Sequence, residues 1–137
     1  MPESKNISSL ITELAASRPD SPAVIDGGRT ISFGELEAEI SLLAAGFARA
    51  GIKPGLRAAL MVPPSIEFVA LTFALFRSGA VIVLIDPGIG PASMRACLEE
   101  SRPEAFIGVP KAHVARLLLR WAKKSLRLFI TVGNNWL

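Results

Sequence analysis

The sequence is short of the residues on which most enzyme chemistry depends. It has one cysteine, Cys97, and one histidine, His113, in 137 residues. A lone cysteine excludes an intramolecular disulfide and is in keeping with a reducing, cytoplasmic setting. One histidine and one cysteine at unrelated positions argue against a metal centre or a catalytic triad, both of which need neighbours. No apolar run is long enough to span a bilayer: residues 68–76 are fenced by Glu67 and Arg77, and residues 80–85 stop at Asp86 and Pro87. The opening Met-Pro-Glu-Ser-Lys-Asn lacks the apolar stretch of a secretory leader. There is no G-x-x-x-x-G-K-[ST] phosphate loop, no nucleophile-elbow serine and no internal repeat. Acidic residues stop at Glu104. Up to that point there are 9 basic and 12 acidic side chains; beyond it there are 6 basic and none acidic. The net charge of +3 therefore reports one local patch and gives no reason to expect nucleic-acid binding.

What the sequence has in abundance is apolar surface. Half its residues are hydrophobic, and its mean hydropathy is +0.43, high for a small domain. That excess calls for a partner chain or for further sequence. The organising stretch is 56–87. A short apolar run is followed by Pro63-Pro64-Ser65, a helix-length apolar run, Arg77-Ser78-Gly79 and a second short apolar run. Neither short run alternates, so both read as strands buried on two faces, joined by a crossover helix as parallel strands require. Pro64 suits that helix's first turn and Gly79 its end. Phe68, Phe73 and Phe76 are expected to be buried, each stabilising by about 1.5–3 kcal/mol, with Phe73→Ala costing roughly 3–5 kcal/mol.

Before this unit, Asn6 can cap a helix with apolar residues Ile7, Leu10, Ile11 and Leu14. Asp26-Gly27-Gly28 turns a hairpin between 23–25 and 29–31. Ser32 and Glu35 form a capping box for a helix carrying Phe33, Leu36, Ile40, Leu43 and Phe47, with Glu35, Glu37 and Glu39 mostly outward. After the unit come a helix over about 91–101, a strand at 105–109 and a helix from Pro110 with the stripe Val114, Leu117, Leu118 and Trp121. A last strand follows at 126–132. The expected fold is α/β: a Rossmann-like parallel sheet of about four strands, near 57–62, 80–85, 105–109 and 127–132, with crossover helices. Residues 1–55 form a helix–hairpin–helix lead-in and residues 56–137 the sheet unit, together one incomplete domain.

Three features invite chemistry. Gly88-Ile89-Gly90 follows a strand and opens a helix, but Ser93 stands at the third glycine position of a dinucleotide fingerprint and no acidic residue follows Glu104 to hold a ribose, so it reads as a tight turn. Cys97, beside Leu98, reads as a small core residue. Arg116, Arg120 and Lys124 recur one helical turn apart, opposite the Val114–Trp121 stripe; such a helix is a solvated face or a weak membrane-surface contact. No catalytic, cofactor-binding or metal-binding residue can be named.

These segments resemble the N-terminal part of the AMP-forming acyl-adenylate synthetases. The resemblance is carried by Thr30-Ile31-Ser32-Phe33-Gly34-Glu35-Leu36, by 51–60, by Glu67-Phe68-Val69-Ala70-Leu71 through Gly79-Ala80-Val81, and by Leu84-Ile85-Asp86-Pro87. Met61-Val62-Pro63-Pro64-Ser65 and 103–113 are similar to one branch, the fatty-acid CoA ligase-like synthetases, which includes those that close β-hydroxy acids to β-lactones in olefin biosynthesis. Gly55-Leu56-Arg57 departs from the acidic residue many members carry there. The resemblance implies a parent enzyme that joins a fatty-acid-type carboxylate to AMP using ATP and Mg²⁺, with CoA in some members. The family's ATP-binding elements have no counterpart in 1–137, so this chain is expected to be a scaffold portion, a truncated gene or an excised fragment, inert alone and prone to self-association through exposed apolar surface. A reading from another class is a free-standing Rossmann-like interaction module, membrane-peripheral through its basic helix.

Overall fold

The computed structural model describes residues 5–133. They form two compact units: one takes the described residues up to Pro54 together with Pro63–Ala80, the other Gly55–Val62 together with the described residues from Val81 on.

The first unit contains helix α1 (Ser9–Ser17), hairpin strands β1 (Pro22–Asp26) and β2 (Arg29–Ser32), and helices α2 (Phe33–Ala50) and α3 (Ile66–Arg77). The hairpin is antiparallel, Asp26 pairing with Arg29 across a turn in which Gly27 takes φ +57°. At the start of α2 the Ser32 hydroxyl accepts from the Glu35 amide and the Glu35 carboxylate accepts from the Ser32 amide, at 3.2 and 2.9 Å. This is the reciprocal cap the two residues predict. Leu36, Ile40 and Phe47 of α2 are buried.

Three expectations need correction. Asn6 caps the turn that opens α1 as expected, its side-chain oxygen accepting from the Ser8 amide at 2.9 Å, and its Nδ2 donates to the Phe76 carbonyl at 2.6 Å, but the apolar stripe expected of the helix is not buried as a set. Only Ile11 of its apolar set is fully buried, while Ile7 and Leu10 are exposed. Pro64 lies outside α3, because Ser65 is the cap and accepts from the Phe68 amide at 3.1 Å. A serine oxygen can satisfy an open amide, which a proline ring cannot. Finally, the fully buried residues of α3 are Ala70, Leu71, Ala74 and Leu75. Phe68, Phe73 and Phe76 are only half-buried, Phe73 and Phe76 meeting edge to face at 6.1 Å. Phe73→Ala is accordingly expected to cost about 1–2 kcal/mol in a denaturant titration, well below the value for a sealed site.

Ion pairs hold this unit together. Arg29 donates to both Glu67 oxygens at 2.7 and 3.0 Å, and to Asp26 at 3.1 Å. The Arg29 guanidinium holds the Glu67 carboxyl down at about 2. A carboxyl lowered in the folded state stabilises fully above its unfolded pKa, near 4.5, and loses that contribution as pH falls toward 2. Both side chains are about half exposed, so water screens most of the effect. The melting-temperature difference between wild type and Glu67→Gln is expected to be small at pH 6 and to vanish between pH 4.5 and 2.

The second unit is a four-stranded parallel sheet, β4-β3-β5-β6, of β3 (Arg57–Met61), β4 (Val81–Val83), β5 (Ala105–Gly108) and β6 (Leu128–Thr131), with helices α4 (Pro91–Ser101) and α5 (Pro110–Leu119). The inner strands are buried on both faces: Ala58, Ala59 and Leu60 on β3, and all of Ala105–Gly108. The outer strands are not. On β4 Val81 is exposed, and on β6 Phe129 and Thr131 are exposed, so 80–85 is an edge run rather than a doubly covered one. Ala59, Met94, Leu98, Phe106, Trp121 and Ala122 form the buried cluster of this unit.

Candidate functional site

A parallel α/β sheet usually places ligands beyond the carboxyl ends of its strands. The glycine turn after β4 is the one such loop that the sequence singled out. Asp86 Oδ1 accepts from the Gly88 amide at 2.8 Å, Pro87–Ile89 winds into a single 3-10 turn, and Gly90, φ +86°, leads into α4. A carboxylate already occupies the amide that a phosphate would need, and it repels the phosphate's charge. Among the described residues no three His, Cys, Asp or Glu side chains cluster as metal ligands. The Asp86 carboxylate makes this turn a poor seat for a phosphate. Cys97 is partly buried on α4. His113 is structural in its contacts, its Nε2 within 3.0 Å of the Ile130 carbonyl and its ring edge-on to Phe106 at 5.1 Å.

The unusual chemistry lies on α5 and β6. Gly108 has no room for a side chain: a Cβ there would meet Ala112 Cβ at 3.0 Å and the Met61 carbonyl at 3.2 Å. The helix thus sits close to the sheet, with Ala112 and Ala115 packed against the buried cluster. That phase overturns the expected stripe. Val114, Leu117 and Leu118 are 55, 65 and 78% exposed. Arg116, expected on the outer face, lies over the Phe129 ring at 4.1 Å and the Phe106 ring at 5.7 Å. Desolvation there pushes its pKa down from the usual arginine value. The helix ends at Leu119 with Arg120 left-handed at φ +53°, so Arg116, Arg120 and Lys124 do not share one helical face. Trp121 lies past that end and is buried.

Arg116 Nε and Trp121 Nε1 are buried with no hydrogen-bond partner among the described residues. Both line a cavity of about 280 Å³ with Leu126, Phe129, Arg120 and Lys123. A wider cleft of about 540 Å³ shares Arg120 and Lys123 and adds Arg95, Arg102 and Lys124; its lone carboxylate, Glu99, is already paired with Arg95 at 2.9 Å. This half of the sheet is a surface rich in donors and cations and poor in acceptors.

The family model described as AMP-binding enzyme matches residues 11–134. The chain belongs to the AMP-binding enzyme family. Within this family's range, the olefin beta-lactone synthetase of Stenotrophomonas maltophilia (strain K279a) is 48% identical over 142 residues, covering 95% of this chain and 26% of that protein. Enterobactin synthase component F of Escherichia coli (strain K12) is 31% identical over 101 residues, covering 74% of this chain and 8% of that protein. Two solved structures share the fold. The N-terminal domain of FACL13 from Mycobacterium tuberculosis superposes with a TM-score of 0.83 at 22% identity, over 93% of this chain and 34% of that one. The anthranilate CoA ligase AuaEII, in complex with anthranoyl-AMP, gives 0.85 at 19%, over 97% and 26%. The chain spans about a quarter of the length of the olefin beta-lactone synthetases it matches. No helix among the described residues is long and apolar enough to cross a membrane.

Proposed function

We propose that this chain is the N-terminal scaffold portion of an ATP-dependent, AMP-forming synthetase acting on a fatty-acyl or β-hydroxy-acyl carboxylate, and that it is catalytically inert alone. The observation that carries this reading is the 48% identity to an olefin beta-lactone synthetase along 95% of the chain. The parallel sheet and the helix–hairpin–helix lead-in serve as a platform. The residues that would hold ATP and Mg²⁺ and activate the carboxylate come from the remaining three quarters of the enzyme. Bound ATP and Mg²⁺ would supply the leaving group and charge neutralisation for adenylation. This chain's part is to present a rigid strand and helix framework for the residues that carry out that step.

The purified chain is expected to show no carboxylate-dependent pyrophosphate exchange above a heat-killed control, and no saturable binding of ATP with Mg²⁺ by calorimetry. Exchange above that control would overturn the reading of the chain as scaffold alone.

A further inference from the structure

We propose that the cleft where α4 and α5 end is a binding site for a small soluble molecule carrying two phosphomonoester groups. The site stands apart from the scaffold reading above, whose success or failure leaves it untouched. α4 closes at Ser101 and the chain enters β5 at Ala105; α5 closes at Leu119 and the chain enters β6 at Leu128. Both connections therefore lie at the amino ends of their strands, opposite the turn that leaves β4. Between them is the cleft of about 540 Å³, lined by Arg95, Glu99 and Arg102 on one side and by Arg120 and residues 122–125 on the other. Its volume is that of a small-molecule pocket.

The cations in it are held for something other than each other. Arg95 is committed to Glu99, its Nε donating at 2.9 Å. Arg102, Arg120, Lys123 and Lys124 have no carboxylate partner among the described residues. The negative ends of α4 and α5 account for Arg102 and Arg120, but that field fades within the last helical turn and does not explain Lys123 and Lys124. The backbone is bent to keep all four in place. Among the described residues the non-glycine residues with positive φ are Arg102 (+50°), Arg120 (+53°) and Ala122 (+44°), and all three line this cleft. Glycine or asparagine is the usual residue at such a helix end. Left-handed non-glycine residues gathered at one place point to geometry kept for a ligand. Trp121 and Ala122 are buried in the core cluster, so they pin the loop while Arg120, Lys123 and Lys124 stay exposed.

Charge and lining together specify the ligand. A phosphomonoester carries nearly two negative charges at pH 7, so two such groups balance the four free cations. The two arginine forks suit phosphate oxygens, and the lysines supply point charges. A monocarboxylate would leave three cations unmatched. No aromatic side chain among the described residues lines the cleft, so a nucleobase or a single-stranded nucleic acid finds no stacking platform. ATP with Mg²⁺ is a poor match as well, because the metal takes up phosphate oxygens and half of the charge.

The test titrates the purified chain with fructose 1,6-bisphosphate as the probe, by calorimetry at about 50 mM salt. One-to-one saturable binding is expected, about tenfold or more tighter than that of inorganic phosphate and weakening as salt rises. The double variant Lys123→Gln, Lys124→Gln should weaken it by about tenfold or more, with a melting temperature equal to wild type or higher because repulsion is relieved. The double variant Lys53→Gln, Lys111→Gln removes the same charge from exposed positions outside the cleft and should weaken it less than about threefold. No saturable binding, or equal weakening by the two double variants, would overturn the proposal. So would displacement of the probe by ATP with Mg²⁺. Binding to vesicles containing phosphatidic acid without binding of the free probe would also overturn it, assigning the cations to a membrane surface. A concentration-dependent dimer that is lost on Lys123→Gln, Lys124→Gln, with no probe bound, would assign them instead to carboxylates of a second copy. A Lys123→Gln, Lys124→Gln variant without a cooperative melt counts against the site too, since free exposed lysines hold no part of the fold.

Discussion

Phe106→Ala is expected to lower the unfolding free energy by about 3–5 kcal/mol, enough to leave the chain largely unfolded at 37 °C. Phe106 sits in the middle of β5, between β3 and β6, and is fully buried. Its ring packs within the cluster of Met94, Leu98 and Trp121, meets His113 edge-on and lies under the Arg116 guanidinium. Truncation loses the transfer energy of the ring and leaves a cavity that the helix cannot close, because Gly108 and Ala112 already hold it at contact distance. Phe106→Leu refills most of the volume and should cost less than half as much. The check is a urea titration of the three proteins by circular dichroism. An alanine variant within 1 kcal/mol of wild type would contradict the central position given to this ring.

The second large effect is expected at Arg77. Its Nη1 and Nη2 each donate to Glu37 at 2.9 Å, bonding both carboxylate oxygens, while the same side chain reaches Thr12 and Ser41 hydroxyls and the Ser8 carbonyl. It thereby ties α1, α2 and α3 at one point, and both partners of the pair are less than a quarter exposed. Arg77→Met should cost about 2–3 kcal/mol, because it leaves a largely enclosed carboxylate with only hydroxyl donors. The double variant Arg77→Met with Glu37→Leu should recover at least half of that loss. A double variant no more stable than the single one would show that the arginine acts through packing of its stem rather than through the pair.

The parts of this architecture that were legible in the sequence are those written in local chemistry. The Ser32–Glu35 box, the Asp26-Gly27-Gly28 turn and the inner strands at 57–61 and 105–108 announce themselves within a few residues. The Arg77–Glu37 pair could not be read, since forty residues separate its members; Glu37 had every sign of an outward helix carboxylate. The phase of α3 was also hidden. A helix apolar almost all round has no single face, and its fully buried positions proved to be two alanines and two leucines rather than the larger phenylalanines. On α5 hydrophobic periodicity points the wrong way, marking the leucine stripe as the buried face, whereas Val114, Leu117 and Leu118 are exposed. The signal that could have corrected it was there, in Gly108 followed by Ala112 and Ala115, a run of small residues that lets a helix approach a sheet closely. Long side chains cannot share that face, so the leucines turn outward and Arg116 covers the strand. Catalytic chemistry was not legible because one histidine and one cysteine at unrelated positions make no motif that a sequence can be read by.

The most direct test of the central claim, that this chain is an exchangeable scaffold portion of an AMP-forming synthetase, is the activity of a chimera. Residues 1–137 replace the matching region of the Stenotrophomonas maltophilia olefin beta-lactone synthetase, and carboxylate-dependent ATP–pyrophosphate exchange is measured beside the unaltered relative. The account predicts exchange within about tenfold of the relative, a difference of no more than about 1.4 kcal/mol in barrier height, while the chain alone gives none. A chimera that folds with a cooperative melt but supports no exchange would contradict it.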